Sequence, residues 1–248
     1  MRIAVLSDIH GNIEAFESVL MDIDCVGIDH IINLGDSIGY GPDPESVLDL
    51  IQKRDILNIH GNHEQAVLDA KSRFILKDSA LKSIEQTLKY LSSTSLLYLR
   101  ELPTYRIVND ALFVHGCPPD SCENYLNYLS FRELEIVFQS YKNKISFVGH
   151  THKLMIIKYN GKKISFQQLE NSPIKIDEDN RYIFNVGSVG QPRDHDPRAG
   201  YVIWDSTSSS IEARRVQYDI ESTVNKIIER GFEQKDANRL YRNLKKSK

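Results

Sequence analysis

The chain has little cysteine: three residues in 248, Cys25, Cys117 and Cys122, with no Cys-X-X-Cys pair. That count supports no even disulfide framework and reads as reduced thiols in a cytoplasmic compartment. Long apolar runs are missing as well; none approaches the roughly 18 residues that announce a membrane-spanning helix. The opening Met1-Arg2-Ile3-Ala4-Val5-Leu6-Ser7-Asp8 lacks the extended apolar core and small-residue cleavage site of an export signal. Charge of one sign is lacking too. The 31 lysines and arginines nearly balance 34 acids, a formal net charge of −3 with no basic stripe. General attraction to duplex nucleic acid or to an anionic membrane is thereby disfavoured, and any phosphate recognition must be local. With no repeat and no low-complexity segment, residues 1–248 are expected to form one domain around its own core.

What is present is alternation. Short β-branched runs at 3–6, 31–34, 56–59, 111–114 and 145–148 each end in a polar or Gly-containing turn, as strands do. Between the first three stand two helices. One runs from Asn12 to about Met21 with Ile13, Phe16, Val19 and Leu20 on a single face; the other runs from an Asp43 cap and Pro44 to about Lys53, burying Val47, Leu48 and Ile51. Strand–helix alternation implies parallel pairing with right-handed crossovers. Residues 65–102 carry Leu81, Ile84, Leu88 and Leu91 at steps of three and four, a helical insertion that is either a wall of the site or a purely structural helix pair. From Tyr105 onward strands predominate, at 105–108, 111–114, 145–148, 154–159, 163–168, 181–186, 200–205 and 210–216, with Asn160-Gly161 read as a type I′ hairpin turn. Two amphipathic helices fill about 219–244, the first ending at Gly231, before a solvated tail over 245–248. So many strands imply two sheets packed face to face with helices outside.

The chemistry sits in the turns that follow the strands. Asp8-Ile9-His10, Gly35-Asp36, Gly61-Asn62-His63, Val114-His115-Gly116 and Gly149-His150-Thr151-His152 supply eight candidate metal ligands, including five of the eight histidines. A lone Asp-X-His occurs by chance; five such blocks at strand ends form a pattern. Open α/β sheets bind ligands outside the carboxyl ends of their strands, so distant blocks can converge there. Carboxylate, imidazole and one amide, without thiolate, suit manganese, iron, zinc or nickel better than a closed structural zinc site. Seven ligands beside a catalytic acid exceed what one centre with an open position needs, whereas two centres sharing a carboxylate use them all.

In this order the blocks resemble the calcineurin-like metallophosphoesterase superfamily, over residues 1 to about 205. The resemblance implies an α/β fold, a four-layer αββα sandwich of two mixed sheets flanked by helices. It also implies a metal-dependent phosphoric ester hydrolase with two divalent or trivalent transition metal ions. Asp8, His10 and His152 would hold one metal, Asn62, His115 and His150 the other, and Asp36 would bridge both. A carboxylate has two oxygens for that bridge, and its charge offsets repulsion between cations about 3.5–4 Å apart. By the same resemblance a hydroxide formed between the metals attacks phosphorus in line, while catalytic His63 protonates the departing oxygen.

The stretch Asn185-Val186-Gly187-Ser188-Val189-Gly190-Gln191-Pro192-Arg193-Asp194-His195-Asp196-Pro197-Arg198, with Gly35 to Pro42, is similar to a bacterial and archaeal branch described as diadenosine tetraphosphatase-like. Arg193 and Arg198 offer fork-shaped donors for phosphate, Ser188 between Gly187 and Gly190 allows close backbone approach, and Tyr40 is placed to stack on a base. The chain departs from that branch at Pro119, where relatives carry arginine, and at His195, where they carry glycine. The expected activity is phosphodiester or phosphoanhydride hydrolysis on a small nucleotide such as a dinucleoside polyphosphate, by a monomer or homodimer. A phosphomonoesterase, a phosphoprotein phosphatase and a non-catalytic scaffold are the alternatives. Plainer roles also stand for single residues: Arg193 and Arg198 as surface partners of Asp194 and Asp196, Glu64 as a helix-start acid, Cys117 as a small buried hydrophobe, and His30 and His60 as ordinary hydrogen-bonded histidines.

Overall fold

Side chains alternate across β1 (Arg2–Leu6), and that alternation feeds two separate cores. Ile3 and Val5 point into one, Ala4 and Leu6 into another. In β11 (Ala199–Asp205), Val202 and Trp204 join the first core while Tyr201 and Ile203 join the second. A different strand, β5 (Ala111–Val114), sends Ala111 and Phe113 to the first core but Leu112 and Val114 to a third. In the computed structural model, which describes residues 1–246 without the side chains of 75 and 242–246, the first core is therefore the seam between two sheets. Phe113, Phe147 and Trp204 fill it, with the phenyl rings of Phe113 and Phe147 stacked at 4.9 Å.

One sheet runs β3 (Leu57–Asn58), β2 (His30–Asn33), β1, β11, β12 (Ser210–Val216), β9 (Ile174–Lys175). The other runs β4 (Tyr105–Val108), β5, β6 (Ile145–Val148), β10 (Arg181–Val186), β7 (Leu154–Tyr159), β8 (Ile164–Gln168). Both are mixed. β1, β2 and β3 are parallel, as are β5, β6 and β10, and the remaining pairings are antiparallel. Helices α1 (Ile13–Val26) and α2 (Pro44–Lys53) cover the outer face of the first sheet through Phe16, Val19, Val47 and Ile51. On the second sheet, α6 (Phe131–Gln139) does the same through Leu134 and Phe138. The result is the four-layer α/β sandwich.

Around one end of the sheets stand α3 (Asn62–Leu68), α4 (Asp78–Thr87) and α5 (Ser93–Arg100), then α7 (Ile220–Glu229) and α8 (Gln234–Lys246), which pack on each other through Val224, Ile227, Phe232, Ala237 and Leu240. Among the described residues no helix is long and apolar enough to cross a membrane.

Several local expectations are corrected. Helix α6 appears where only strands and loops are expected, capped by Ser130 and Glu133 in a reciprocal box. The run 56–59 contributes only two strand residues. Between β7 and β8, Gly161 has φ +83° while Asn160 is not left-handed, and Asn160 pairs with Lys163; Gly161-Lys162 is therefore the centre of a turn that is not type I′. Asp43 caps nothing with its side chain; the carboxylate instead binds Lys226 at 3.1 Å and Arg230 at 3.0 Å, tying α7 to the start of α2. The expectations for Leu244 and for the lysine-rich tail lie outside the described side chains.

Candidate metal centre

The carboxyl ends of β1, β2, β5 and β6, with the N-terminus of α3 beyond β3, meet at one edge of the sandwich. The turns after β1 and β2 run side by side, tied by Asp8 N–H to Gly35 O (3.1 Å) and His10 N–H to Asp36 O (2.9 Å). Five of the seven candidate ligands, Asp8, His10, Asp36, His150 and His152, sit at φ between 49° and 63°, a region that costs a non-glycine residue about 1–3 kcal/mol. That conformation folds each turn back so that its side chain faces the strand ends. Gly149 is required by crowding: a Cβ there would stand 1.8 Å from Ser7 Oγ and 2.6 Å from Asp8 Oδ2.

Two groups of donors result. Asp8 Oδ1 lies 3.1 Å from His152 Nε2 and 3.6 Å from His10 Nε2, with the two imidazole nitrogens 3.3 Å apart. In the second group His115 Nε2 lies 3.2 Å from both Asn62 Oδ1 and His150 Nδ1. Asp36 Oδ2 joins them, 3.3 Å from His115 Nε2 and 3.8 Å from His10 Nε2. Asp36 Oδ2 thus lies between the two groups, while Asp36 Oδ1 accepts the backbone N–H of His63 at 2.9 Å.

The outer ring nitrogens settle which atoms are free. His10, His115 and His152 place Nδ1 against the carbonyls of Ile38 (2.9 Å), Leu34 (2.8 Å) and Gln191 (2.6 Å), so Nδ1 carries a proton and Nε2 is the atom turned inward, available to a cation. His150 is reversed, with Nε2 against Glu123 O at 3.1 Å and Nδ1 inward. Inward nitrogens and carboxylate oxygens thus crowd one another, and buried Asp8 Oδ1 accepts no hydrogen bond. Such a donor set is satisfied by cations, and the residues fit two of them.

Electrostatics agree. Burial opposes ionisation of Asp8 and Asp36, but the surrounding imidazoles outweigh it and hold both carboxyls below the usual carboxylate range. Burial likewise pushes His63 and His150 down to about 3 and His152 to about 4. His115 goes the other way, to about 9, because the charge of Asp36 overcomes burial. A cation bound there displaces that proton.

Glu64 is a positioning residue that a helix-start reading misses. Its buried carboxylate accepts the backbone N–H groups of Asp36 (2.8 Å), Ser37 (2.8 Å) and Gly61 (2.9 Å), locking the Asp36 turn to the Asn62 turn. The available signal was its place three residues after Gly61, at the first turn of α3.

A cleft of about 220 Å³ opens over the centre, lined by Asp36, Asn62, His63, His150 and His152, with Tyr40, Tyr125, Lys77, Arg193 and Arg239 around its mouth. His63 stands inside it, Nε2 3.9 Å from Asp36 Oδ2. Of the four expected substrate contacts, Tyr40 and Arg193 reach this cleft and two do not. Ser188 is buried, donating to Asp8 O (2.9 Å) and accepting from Gln191 N–H (2.8 Å), so it supports the Asp8 turn. Arg198 is forked onto Asp196 at 2.7 Å and, with His195, lines a different hollow. Asp194 pairs with Arg215. Cys117 is a buried free thiol pushed up to about 11 by burial, and Cys122 is free as well. His30 and His60 lie outside the centre. Arg239 carries no local signal, since only packing of α8 brings it here.

Comparison with known proteins places this geometry. The calcineurin-like phosphoesterase superfamily domain matches residues 1–209. An uncharacterized protein of Methanocaldococcus jannaschii is 36% identical over 240 residues, covering 91% of each chain. The crystal structure of a metallophosphoesterase from Sphaerobacter thermophilus superposes with a TM-score of 0.85 at 32% identity, covering 98% of this chain and 99% of that one. A solved structure provisionally described as a diadenosine tetraphosphatase is more distant, with a TM-score of 0.51 at 16% identity over 87% of this chain and 94% of that one, and it shares the fold alone. Its domain match, its relatives and its buried carboxylate–imidazole centre together make this chain a member of the calcineurin-like superfamily of metal-dependent phosphoesterases.

Proposed function

We propose that the protein hydrolyses phosphodiester or phosphoanhydride bonds of small nucleotides, dinucleoside polyphosphates among them. One observation carries the reading: the cleft over Asp36 is walled by the ring of Tyr40, with a guanidinium group 5.8 Å and another 5.7 Å from its centroid, which sets fork donors for phosphate beside an aromatic wall. Asp8, His10, Asp36 and His152 would hold one cation; Asp36, Asn62, His115 and His150 would hold the other. Transition metal ions of the manganese, iron, zinc or nickel type supply Lewis acidity in such a site, bringing the pKa of water towards neutrality and drawing charge from phosphoryl oxygens.

The side chains do the rest. Asp36 joins the two halves through Oδ2, and Glu64 fixes the turn that presents it. His63 stands inside the cleft but can protonate the departing oxygen only as the imidazolium, so the anionic substrate has to raise its pKa from the value of about 3 that burial sets. Arg193 orients the phosphate and Tyr40 the base. All these groups come from one chain, so the reading requires no second copy, and the cleft admits a small phosphorylated molecule better than a duplex.

The test is turnover, with added manganese, of bis-p-nitrophenyl phosphate, diadenosine tetraphosphate and phosphotyrosine. Hydrolysis of the first two is expected. Phosphotyrosine turnover with diadenosine tetraphosphate untouched replaces the nucleotide reading by a phosphomonoesterase. Strict inactivity with metals bound leaves a scaffold.

A further inference from the structure

Two guanidinium groups share one neutral acceptor at the mouth of the cleft. Arg193, in the loop after β10, donates through Nη2 to Gln191 Oε1 at 2.9 Å; Arg239, on α8, donates through Nη1 to the same oxygen at 2.8 Å. Both also flank Tyr40. Like charges this close repel, and an amide oxygen does not neutralise them. Arg198, Arg214 and Arg215 bind the carboxylates of Asp196, Asp22 and Asp194, and Arg73 and Arg181, which lack one among the described residues, each spread their donors over two or more backbone carbonyls rather than sharing one oxygen. Among the described residues no carboxylate stands within ion-pair distance of Arg193 or Arg239. The buried Nε of Arg193 has no hydrogen-bond partner, and Asp236, one turn earlier on α8, acts on Arg239 only through space. Lys77, at the start of α4, adds a third cation to the same cleft, whose lining holds two carboxylates, Asp36 and Glu123. Uncompensated fork donors grouped beside a phosphoryl-binding centre are matched by a multiply charged oxyanion.

Resting on the nucleotide reading above, we infer that Arg193 and Arg239 form a second anion subsite, which takes a phosphate group further along the chain from the one being cleaved. The cleft then selects substrates bearing a polyphosphate over simple esters. The alternative, a purely structural stack of two arginines on Tyr40, makes a different prediction about anions.

Titration calorimetry of the metal-loaded protein with tripolyphosphate, supplied as its non-hydrolysable imido analogue, and with orthophosphate separates them, manganese being kept in excess of the probe so that chelation does not strip the centre. The wild type is expected to bind tripolyphosphate at least tenfold tighter than orthophosphate. Arg239→Ala should lose at least tenfold on tripolyphosphate and less than threefold on orthophosphate. Because truncation of Arg239 disturbs α8, Gln191→Glu provides the second arm: it keeps the shape but puts a carboxylate between the two guanidinium groups. That variant should melt higher than the wild type and also lose tripolyphosphate at least tenfold. Equal binding of both probes by the wild type, equal loss of both in Arg239→Ala, or full tripolyphosphate affinity in Gln191→Glu overturns the subsite. If the binding pattern holds while bis-p-nitrophenyl phosphate is not hydrolysed, the subsite is supported and the hydrolytic reading falls instead.

Discussion

His63 differs from the four ligand histidines in what its ring touches. Each of those anchors one nitrogen on a backbone carbonyl, whereas His63 Nδ1 is buried without a partner, pressed so close to Gly39 that a Cβ there would lie 2.0 Å away. Gly39, at φ +84°, is what gives the ring its room. His63 also stands within ligand range of His10 and Asp36, and if it donates a proton rather than ligating it should matter most for basic leaving groups. For His63→Ala we expect turnover of an alkyl phosphodiester to fall about 10²-fold or more, and that of a p-nitrophenyl ester much less, with metal content unchanged by elemental analysis. An unchanged ratio between the two substrates removes the acid role.

Asp236 offers a second test at the same scale. It is buried, neither oxygen is hydrogen-bonded, and burial pushes its pKa to about 6 from an ordinary 3.8. A raised folded-state pKa means that the folded protein keeps this proton when the unfolded chain has lost it. The group therefore weakens the fold above about pH 6, and the penalty disappears as pH falls through the window from 6 to 4. Asp236→Asn should be more stable than the wild type by about 1–3 kcal/mol at pH 8 and equal to it near pH 4. Urea unfolding at both pH values checks this; a difference that does not change with pH contradicts it.

Elements were legible where one periodicity dominated. β1 and β5 alternate cleanly because each lies between two cores, and α1 reveals itself by Phe16, Val19 and Leu20 on a single face. Helix α6 was hidden because Phe131 and Ile136 stay 64% and 58% exposed, which spoils its helical pattern; only Ser130 and Glu133 mark it. The ligand turns were readable from residue type and position after strands. Ser188 and Arg198 were misplaced because both lie within a motif whose backbone turns them away from the cleft, a matter of tertiary shape. Glu64 joins two elements whose pairing no local pattern records. Glu64→Gln replaces a two-oxygen acceptor of three N–H groups by a single oxygen, leaving at least one buried donor unpaired. A loss of about 1–3 kcal/mol in urea unfolding is expected, together with weaker metal retention on dialysis. Wild-type metal retention in a destabilised variant would make Glu64 merely structural.

At the scale of the molecule, each donor group draws on both sheets. Asp8 and His10 follow β1 while His152 follows β6; Asn62 follows β3 while His115 and His150 follow β5 and β6. Cations held there would fasten the two sheets at one edge, where imidazoles and carboxylates crowd one another across the seam. Ligands that bind only the folded state stabilise it by mass action, about 4 kcal/mol at a thousandfold excess over Kd. Calorimetry of the chelated and the manganese-replete protein should therefore show a melting temperature that climbs with free metal. His152→Ala, from the second sheet, should forfeit as much of that gain as His10→Ala from the first, since either loss opens the same staple. Hydrogen exchange supplies the location: on metal binding, protection should rise together at the turns after β1 and β6. A melting temperature indifferent to metal, or protection confined to one sheet, would mean that the donors do not act across the seam.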